Sequence, residues 1–112
     1  MPIASERQEP KLTNREVVEA FLGGHEGQSQ SLSSAFTPGG LTLFSYAEPI
    51  AIRSGDDRLD VELDWRYSRT TSRHRRLLLS MLNDRFDTTL VTREVIRRAA
   101  GLDPLAPPRM YF

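Results

Sequence analysis

Nine residues near the middle of the chain alternate strictly between apolar and charged side chains. Leu59, Val61, Leu63, Trp65 and Tyr67 are the apolar members, and a charged residue occupies every position between them. A period of two places all the apolar side chains on one face of a β-strand. The pattern therefore predicts a long strand with one face on a core and the other, mostly acidic, face in water.

Two further β-favouring runs precede this strand, and turn residues separate all three. Residues 41–46 and 49–53 are rich in apolar and β-branched side chains. Pro38-Gly39-Gly40 marks a turn before the first run, and Ser54-Gly55-Asp56-Asp57 marks a turn after the second. Because short connections join antiparallel neighbours, we expect a small antiparallel sheet of about three strands.

The first helix is marked at both of its ends. Thr13 and Glu16 have the spacing of a capping box, and a pair of glycines follows the last apolar residue. These signals predict an amphipathic helix over residues 14–22. Residues 23–34 contain glycines and serines with almost no apolar content, so we expect a loop there.

Two more helices are predicted after the strands. The first spans residues 73–85 and carries its leucines on one broad arc. Its candidate N-caps are Thr70, Thr71 and Ser72. A second, short helix is predicted over residues 93–100, capped by Thr92 and stopped by Gly101. Between these helices, the segment around Leu90 is either a small strand or a loop.

These elements predict an α+β domain in which the N-terminal and central helices cover one face of the small antiparallel sheet, with a short C-terminal helix. We divide the chain into a flexible arm at residues 1–12, a single domain at residues 13–101 and a proline-rich tail at residues 102–112. The predicted core consists of Val17, Phe21, Leu43, Ile50, Ile52, Leu59, Val61, Leu63, Trp65, Leu78, Met81 and Leu82.

Charge is divided unequally along the chain. Fifteen basic and fifteen acidic residues cancel overall. Residues 1–64 hold five basic and eleven acidic residues, a net charge of −6, whereas residues 65–112 hold ten and four, a net charge of +6. Fourteen of the basic residues are arginine, whose planar fork suits bidentate contacts to phosphate or carboxylate. The basic half is therefore a candidate binding face, unless the two halves neutralise each other within the fold.

Residues 66–76 concentrate the polar chemistry. They contain five arginines, one histidine, four hydroxyl residues and one tyrosine, with no acid. A helix is predicted to start here, and a helix N-terminus attracts anions through its unpaired amides. We therefore predict a nucleic-acid-binding module in which the arginines contact phosphates and the tyrosine stacks on a base. The candidate site residues are Arg66, Tyr67, Arg69, Thr70, Thr71, Ser72, Arg73, Arg75, Arg76, Arg97 and Arg98.

Two alternatives stay open for these charges. Positive charge in the first turn of a helix is unfavourable, so either an anionic ligand or the acidic residues of the first half must offset the arginines. The function could also be that of a small phage-type protein that binds and modulates a host protein through its charged faces. A homo-oligomer is a variant of that hypothesis, because an acidic strand face could meet the arginines of a second copy.

Catalysis and metal binding are not expected. His74 falls within the apolar arc of the central helix, which favours a buried, neutral imidazole over a general base. The chain has no cysteine, and its two histidines lack carboxylates at metal-ligand spacing, so we expect no metal and no cofactor. Motifs such as the Gly-x-Ser-x-Gly elbow are absent, so the protein is predicted not to be an enzyme.

No apolar run approaches the ~20 residues that cross a bilayer, and the N-terminus lacks a signal-peptide pattern. We therefore expect a cytoplasmic location and no membrane partner.

Three short motifs stand out in the chain. They are Asn14-x-Glu16-Val17, Ser45-Tyr46 followed by Pro49-Ile50-Ala51, and Tyr67-Ser68-x-Thr70-Thr71-Ser72-x-His74. Together they resemble a family of small uncharacterised domains common in archaea, viruses and mobile elements, over residues 14–83. The resemblance implies one compact α+β unit in a phage or mobile-element setting, with no assigned activity. The chain departs from that pattern in its extra arginines and in residues 92–112, where any activity of its own is expected.

Overall fold

Three helices and six strands make up the part of the chain that the computed structural model describes, residues 11–63 and 69–106. In chain order they are α1 (Asn14–Leu22), β1 (Gly27–Gln28), β2 (Leu32–Thr37), β3 (Gly40–Ser45), β4 (Glu48–Ser54), β5 (Arg58–Glu62), α2 (Arg69–Met81), β6 (Asp87–Val91) and α3 (Arg93–Ala99). The predicted α+β class is confirmed. Residues 1–10 of the arm predicted over residues 1–12, and residues 107–112 of the predicted tail, lie outside the described residues.

All six strands form one sheet, in the order β1 to β6. The first four pairings are antiparallel, and β5 pairs with β6 in parallel. The prediction of about three antiparallel strands was therefore too small. The parallel pairing arises because α2 carries the chain back to the starting end of β5 before β6 begins.

The loop predicted over residues 23–34 is wrong in its second part. Gly27 and Gln28 form β1, which pairs with the start of β2, and Leu32 is buried. The serines of this segment hydrogen-bond locally while the backbone joins the sheet; the Ser34 hydroxyl, for example, donates to the His25 carbonyl at 2.9 Å. Pairing with β3 along the whole of β2 overrides the weak local preference for a loop.

Helix α1 begins and ends where the sequence predicts. The Thr13 hydroxyl accepts the Glu16 N–H at 3.1 Å, and the Glu16 carboxylate accepts the Thr13 N–H at 2.9 Å, which completes the capping box. Beyond the helix, Gly24 has a φ of 86°, in the region that favours glycine. Arg53 in β4 donates to the Leu22 carbonyl at 2.6 Å, so α1 is satisfied at both ends.

The alternating pattern describes only the first half of the strand it predicted. Leu59 and Val61 are fully buried, but β5 ends at Glu62, which is 1% exposed, whereas Leu63 is 39% exposed. Placing Leu63 in the core was therefore wrong, because the period of two relates sequence to face only while the strand continues. Trp65, also assigned to the core, lies outside the described residues.

Apolar residues pack on both faces of the sheet. The larger cluster lies under α1 and α2, and a smaller one joins α3 to β4 through Ile96 and Ile52. Ala51 belongs to the first cluster and Ile52 to the second, because consecutive strand residues face opposite sides. Helices α2 and α3 therefore lie on opposite faces. The predicted core residues found buried are Val17, Phe21, Leu43, Ile50, Ile52, Leu59, Val61 and Leu78, with Met81 and Leu82 packed half-buried beside them.

Helix α2 departs from its predicted bounds by several residues, whereas α3 agrees closely with its own. Helix α2 is helical from Arg69 and ends at Met81, so the three proposed N-caps at residues 70–72 lie inside it. Helix α3 matches its prediction to within one residue and is capped by Thr92. Within the described ranges, no helix combines the length and apolar character that a membrane span requires.

Candidate nucleic-acid interface

A row of arginines runs along the solvent side of α2. Arg69, Arg73 and Arg76 are separated by four and three residues, which places them on one side of the helix, and all three are exposed. We call these three residues the α2 arginine row. At 1.5 Å per residue the row spans about 10 Å. Ser80, also exposed, continues it by one further turn.

No carboxylate among residues 11–63 and 69–106 forms an ion pair with the α2 arginine row. The ion pairs of that part of the chain join Arg58 to Asp60, and both Arg93 and Arg97 to Glu48. Internal neutralisation therefore accounts for arginines of α3, whereas the row on α2 stays exposed to solvent.

The remaining candidate arginines do not join the row. Arg75 is half-buried, and its Nε donates to the Glu62 carbonyl at 2.7 Å. Arg97 is 8% exposed and donates through Nη1 to both oxygens of Glu48, at 3.0 and 3.1 Å. Arg97 is therefore not part of the exposed row, because a buried carboxylate already holds it. Arg98 is exposed but lies on α3, on the other side of the sheet.

The hydroxyl residues of the predicted anion site are also placed differently. Thr71 is buried, and its Oγ1 lies 2.9 Å from Ser45 Oγ, while Thr70 and Ser72 are half-buried. Because α2 already includes Arg69, the arginines at positions 73 to 76 lie beyond its first turn. The unpaired amides of the helix N-terminus therefore do not lie beside these arginines. Arg66 and Tyr67, the remaining candidates, lie outside the described residues.

His74 occupies the centre of a buried hydrogen-bond network under α2. The residue is 3% exposed, and its Nδ1 lies 2.7 Å from Ser45 Oγ. Its Nε2 lies 3.1 Å from Ser31 Oγ and 3.5 Å from Asn14 Nδ2. The expected burial of this histidine beneath the helix is confirmed.

Burial lowers the pKa of His74 below its ordinary value of 6.5, because desolvation penalises the charged ring. The partners at both nitrogens include serine hydroxyls, which can donate or accept, so either neutral tautomer is satisfied. These contacts fit a structural histidine that links α2 to the sheet.

The residues of the three sequence motifs meet at this network. Asn14 comes from the first motif, Ser45 and Tyr46 from the second, and Thr71 and His74 from the third. The Tyr46 ring lies 6.1 Å from the imidazole, centroid to centroid. The motifs thus supply groups that hold α1, β3 and α2 together.

Sequence reasoning missed the serines of the segment before β2. Ser29 Oγ donates to Asn14 Oδ1 at 2.6 Å, and Ser31 contacts the imidazole. Nothing local in a serine-rich run signals such partners, since they lie 15 and 43 residues away.

An open cavity of about 530 Å³ lies between α1 and the segment that follows α2. Leu22, Met81 and Phe86 form its apolar wall. The Arg85 guanidinium lies over the Phe86 ring at 5.0 Å from its centroid, and that of Arg53 lies at 5.4 Å. The walls of this cavity come from separate elements, so no local pattern in the sequence indicates it.

Within residues 11–63 and 69–106, no three His, Asp or Glu side chains lie close enough together to hold a metal ion.

The model of a family described as a family of unknown function (DUF8033) matches residues 3–95 of the chain. No curated protein and no solved structure matches the chain. The match extends beyond the expected residues 14–83 and includes all six strands, α1, α2 and the first residues of α3.

Proposed function

We propose a nucleic-acid-binding function for this chain, which belongs to the family of unknown function (DUF8033). In this proposal the protein is a non-enzymatic module whose α2 arginine row contacts the phosphate backbone. One observation carries it: three exposed guanidinium groups share one side of a helix, without a carboxylate partner among the described residues. Contacts from arginine to phosphate supply most sequence-independent affinity for nucleic acid.

The other side of α2 supports this proposal by fixing which way the row faces. Thr71, His74 and Leu78 are buried and point toward the sheet. Because these residues recur at helical spacing on one side of α2, Arg69, Arg73 and Arg76 on the opposite side are directed outward together. A row on a packed helix loses less conformational freedom on binding than the same residues on a loop would.

The electrostatics of the row support an anionic ligand as well. Arg69 and Arg73 are four residues apart, and like charges at that spacing destabilise a helix by a few tenths of a kcal/mol. Phosphates placed along the row would relieve this repulsion. Each long side chain can reach a different phosphate, since a duplex carries a charge for about every 1.7 Å of its axis.

The test is the salt dependence of binding to a fluorescently labelled oligonucleotide. Three phosphate contacts predict a slope of about −2 to −3 in a plot of log affinity against log salt concentration. Replacing Arg69, Arg73 and Arg76 together by Gln should weaken binding at low salt by about tenfold or more and flatten this slope. The matched control is Arg98→Gln, which removes an exposed arginine from the other face of the sheet. Absence of association at low salt, or a triple variant that binds like the wild type, would reject the proposal.

A second candidate function is the binding of a protein partner along β6. This strand is last in the sheet order, its first four residues are exposed, and Leu90 is 52% exposed. Unpaired edge strands are common sites for the addition of a strand from another chain or a second copy. Pull-down from a nuclease-treated lysate should then retain a protein that Leu90→Asp releases. Recovery that depends on nuclease-sensitive material would instead support the first function.

A further inference from the structure

The α2 arginine row leads into the open cavity beside α1. Ser80 makes the connection, because it lies four residues beyond Arg76 on the same side of the helix and also lines the cavity. We infer that this cavity takes one unpaired base of a single-stranded nucleic acid whose backbone follows the row, an inference that rests on the proposed function. At 1.5 Å per residue, Ser80 lies about 6 Å along the helix from Arg76, so a strand held by the row reaches the cavity.

Arg85 gives the cavity a stacking surface. Its guanidinium lies 5.0 Å from the centroid of the Phe86 ring, and Phe86 is itself buried. A guanidinium held over an aromatic ring is pre-oriented, and it can present its opposite face to a base. Proteins that bind single strands stack unpaired bases on aromatic rings and on arginine planes. The apolar contributions of Leu22 and Met81 to the wall fit the remaining hydrophobic surface of a base.

Polar groups around the cavity favour a base over a phosphate in its interior. Asn83 Oδ1 accepts the backbone N–H of Arg85 at 2.9 Å. This bond fixes the side-chain amide of Asn83 and leaves its NH₂ group as a donor. Glu19 lines the same cavity, and its carboxylate would accept from exocyclic amino groups but repel a phosphate. Arg15 lies at the cavity too and can contact a flanking phosphate.

A duplex cannot use this arrangement without losing base pairs. Its bases are stacked and paired, so placing one in the cavity requires it to be flipped out of the helix. The α2 arginine row alone would bind duplex and single strand through the same phosphates. Preference for an unpaired base is therefore the property that distinguishes the cavity from the row.

The experiment measures binding of the wild-type protein to three labelled probes of about 12 nucleotides, a length within the site sizes of single-strand-binding folds. The probes are a mixed-sequence single strand, the same strand with abasic sites throughout, and the matched duplex, with DNA and RNA versions of the first. We expect the base-bearing strand to bind about tenfold or more tightly than the abasic strand and the duplex.

Two variants separate the cavity from the row. Arg85→Ala removes the stacking surface, and Ser80→Trp fills the entrance; both positions are exposed, and thermal melts would verify folding. Each variant should bring the base-bearing strand down to the affinity of the abasic strand while the salt slope is kept. Arg98→Ala serves as the control and should leave all three affinities unchanged.

The two proposals fail in different ways. Equal binding of the base-bearing strand, the abasic strand and the duplex would overturn the cavity inference and leave the proposed function in place. Equal loss of binding to all three probes in Arg85→Ala would also overturn it, because Arg85 would then act only as a charge. If none of the probes binds the wild type at low salt, the proposed function itself fails.

Discussion

Helices α2 and α3 both carry several arginines, and the structure uses them in opposite ways. On α3, Arg93 and Arg97 are mostly buried and share the carboxylate of Glu48 at 3.3 and 3.0 Å. On α2, the arginine row is exposed and has no acidic partner among the described residues. The difference comes from one acid at the start of β4, placed beside α3. Local charge density is therefore a poor guide to which arginines are available to a ligand.

The tail strengthens this contrast. Arg93 Nη1 donates to the Ala106 carbonyl at 2.6 Å, and Arg97 Nε donates to the Asp103 carbonyl at 2.7 Å. The α3 arginines thus tie β4 to the chain that follows the helix, where we had expected any activity peculiar to this protein. We call Glu48, Arg93 and Arg97 the α3 clamp, because their contacts hold these segments together. Removing the carboxylate of Glu48 leaves both arginines without an acidic partner.

The largest expected effect is at that clamp. Glu48→Gln leaves both Arg93 and Arg97 without a compensating charge, and breaking a buried pair in this way costs about 3–5 kcal/mol. The free energy of unfolding, measured with urea, should fall by that amount. Glu94→Gln, an exposed acid on the same helix, is the control and should change it little.

A double variant tests whether the charge itself is the cause. Adding Arg97→Met to Glu48→Gln removes one of the two unpaired charges, leaving that of Arg93, and should restore part of the lost stability. A loss below about 1 kcal/mol in Glu48→Gln alone would contradict the contrast between the two helices. The ion pairs of Glu48 would then stabilise the protein no more than an exposed ion pair does.

A smaller effect is expected on the buried side of α2, where His74 should make stability depend on pH. Its pKa is lowered in the folded protein, so above its ordinary value of 6.5 both states are neutral and the residue contributes no pH dependence. Below that value the unfolded chain binds a proton that the folded protein resists, and stability falls as the pH decreases. Comparing the free energy of unfolding at about pH 7.5 and 5.5 measures this loss.

The variant His74→Gln tests whether this histidine causes the effect. It should reduce the loss of stability between the two pH values. An identical loss in the wild type and in His74→Gln would show that other groups cause it, and that the network under α2 tolerates a charged ring.

The smallest effect comes from giving α2 the acid that it lacks. In Ser72→Glu the new carboxylate lies four residues before Arg76, an orientation that stabilises helices by about 0.3–0.5 kcal/mol. The same pairing should weaken oligonucleotide binding, because Arg76 would then be held by a carboxylate, as Arg93 and Arg97 of α3 are. Ser72→Gln is the matched control. Stronger binding in the glutamate variant would count against phosphate contacts by the row.

Local signals were sufficient for some elements. The capping box at Thr13 and Glu16 defines α1 from contacts within one turn, and the predicted turns before β3 and after β4 do connect paired strands. The strands β1 and β2 were missed because their register depends on β3, which no local pattern encodes. The burial of Glu62 was missed because the alternation predicted that its side of β5 would be in water, whereas that side of the sheet is the one on which α3 packs.

The candidate site was predictable to a similar degree. Helical spacing alone places Arg69, Arg73 and Arg76 on one side of a helix, once that helix is taken to include residue 69. The partner of Arg97 lies 49 residues away, so the sequence could not show that this arginine is occupied. Nor could it show that Arg85 lies over Phe86, because that contact depends on where α2 ends.

The match between strand order and chain order affects how the protein can fold during its synthesis. Each of the strands β2 to β5 pairs antiparallel with the strand made just before it, so the sheet can grow hairpin by hairpin as the polypeptide leaves the ribosome. Strand β6 can be added only after the ribosome has released the connection between β5 and β6, which contains α2. The arginine-bearing helix thus emerges onto a sheet that is already largely assembled.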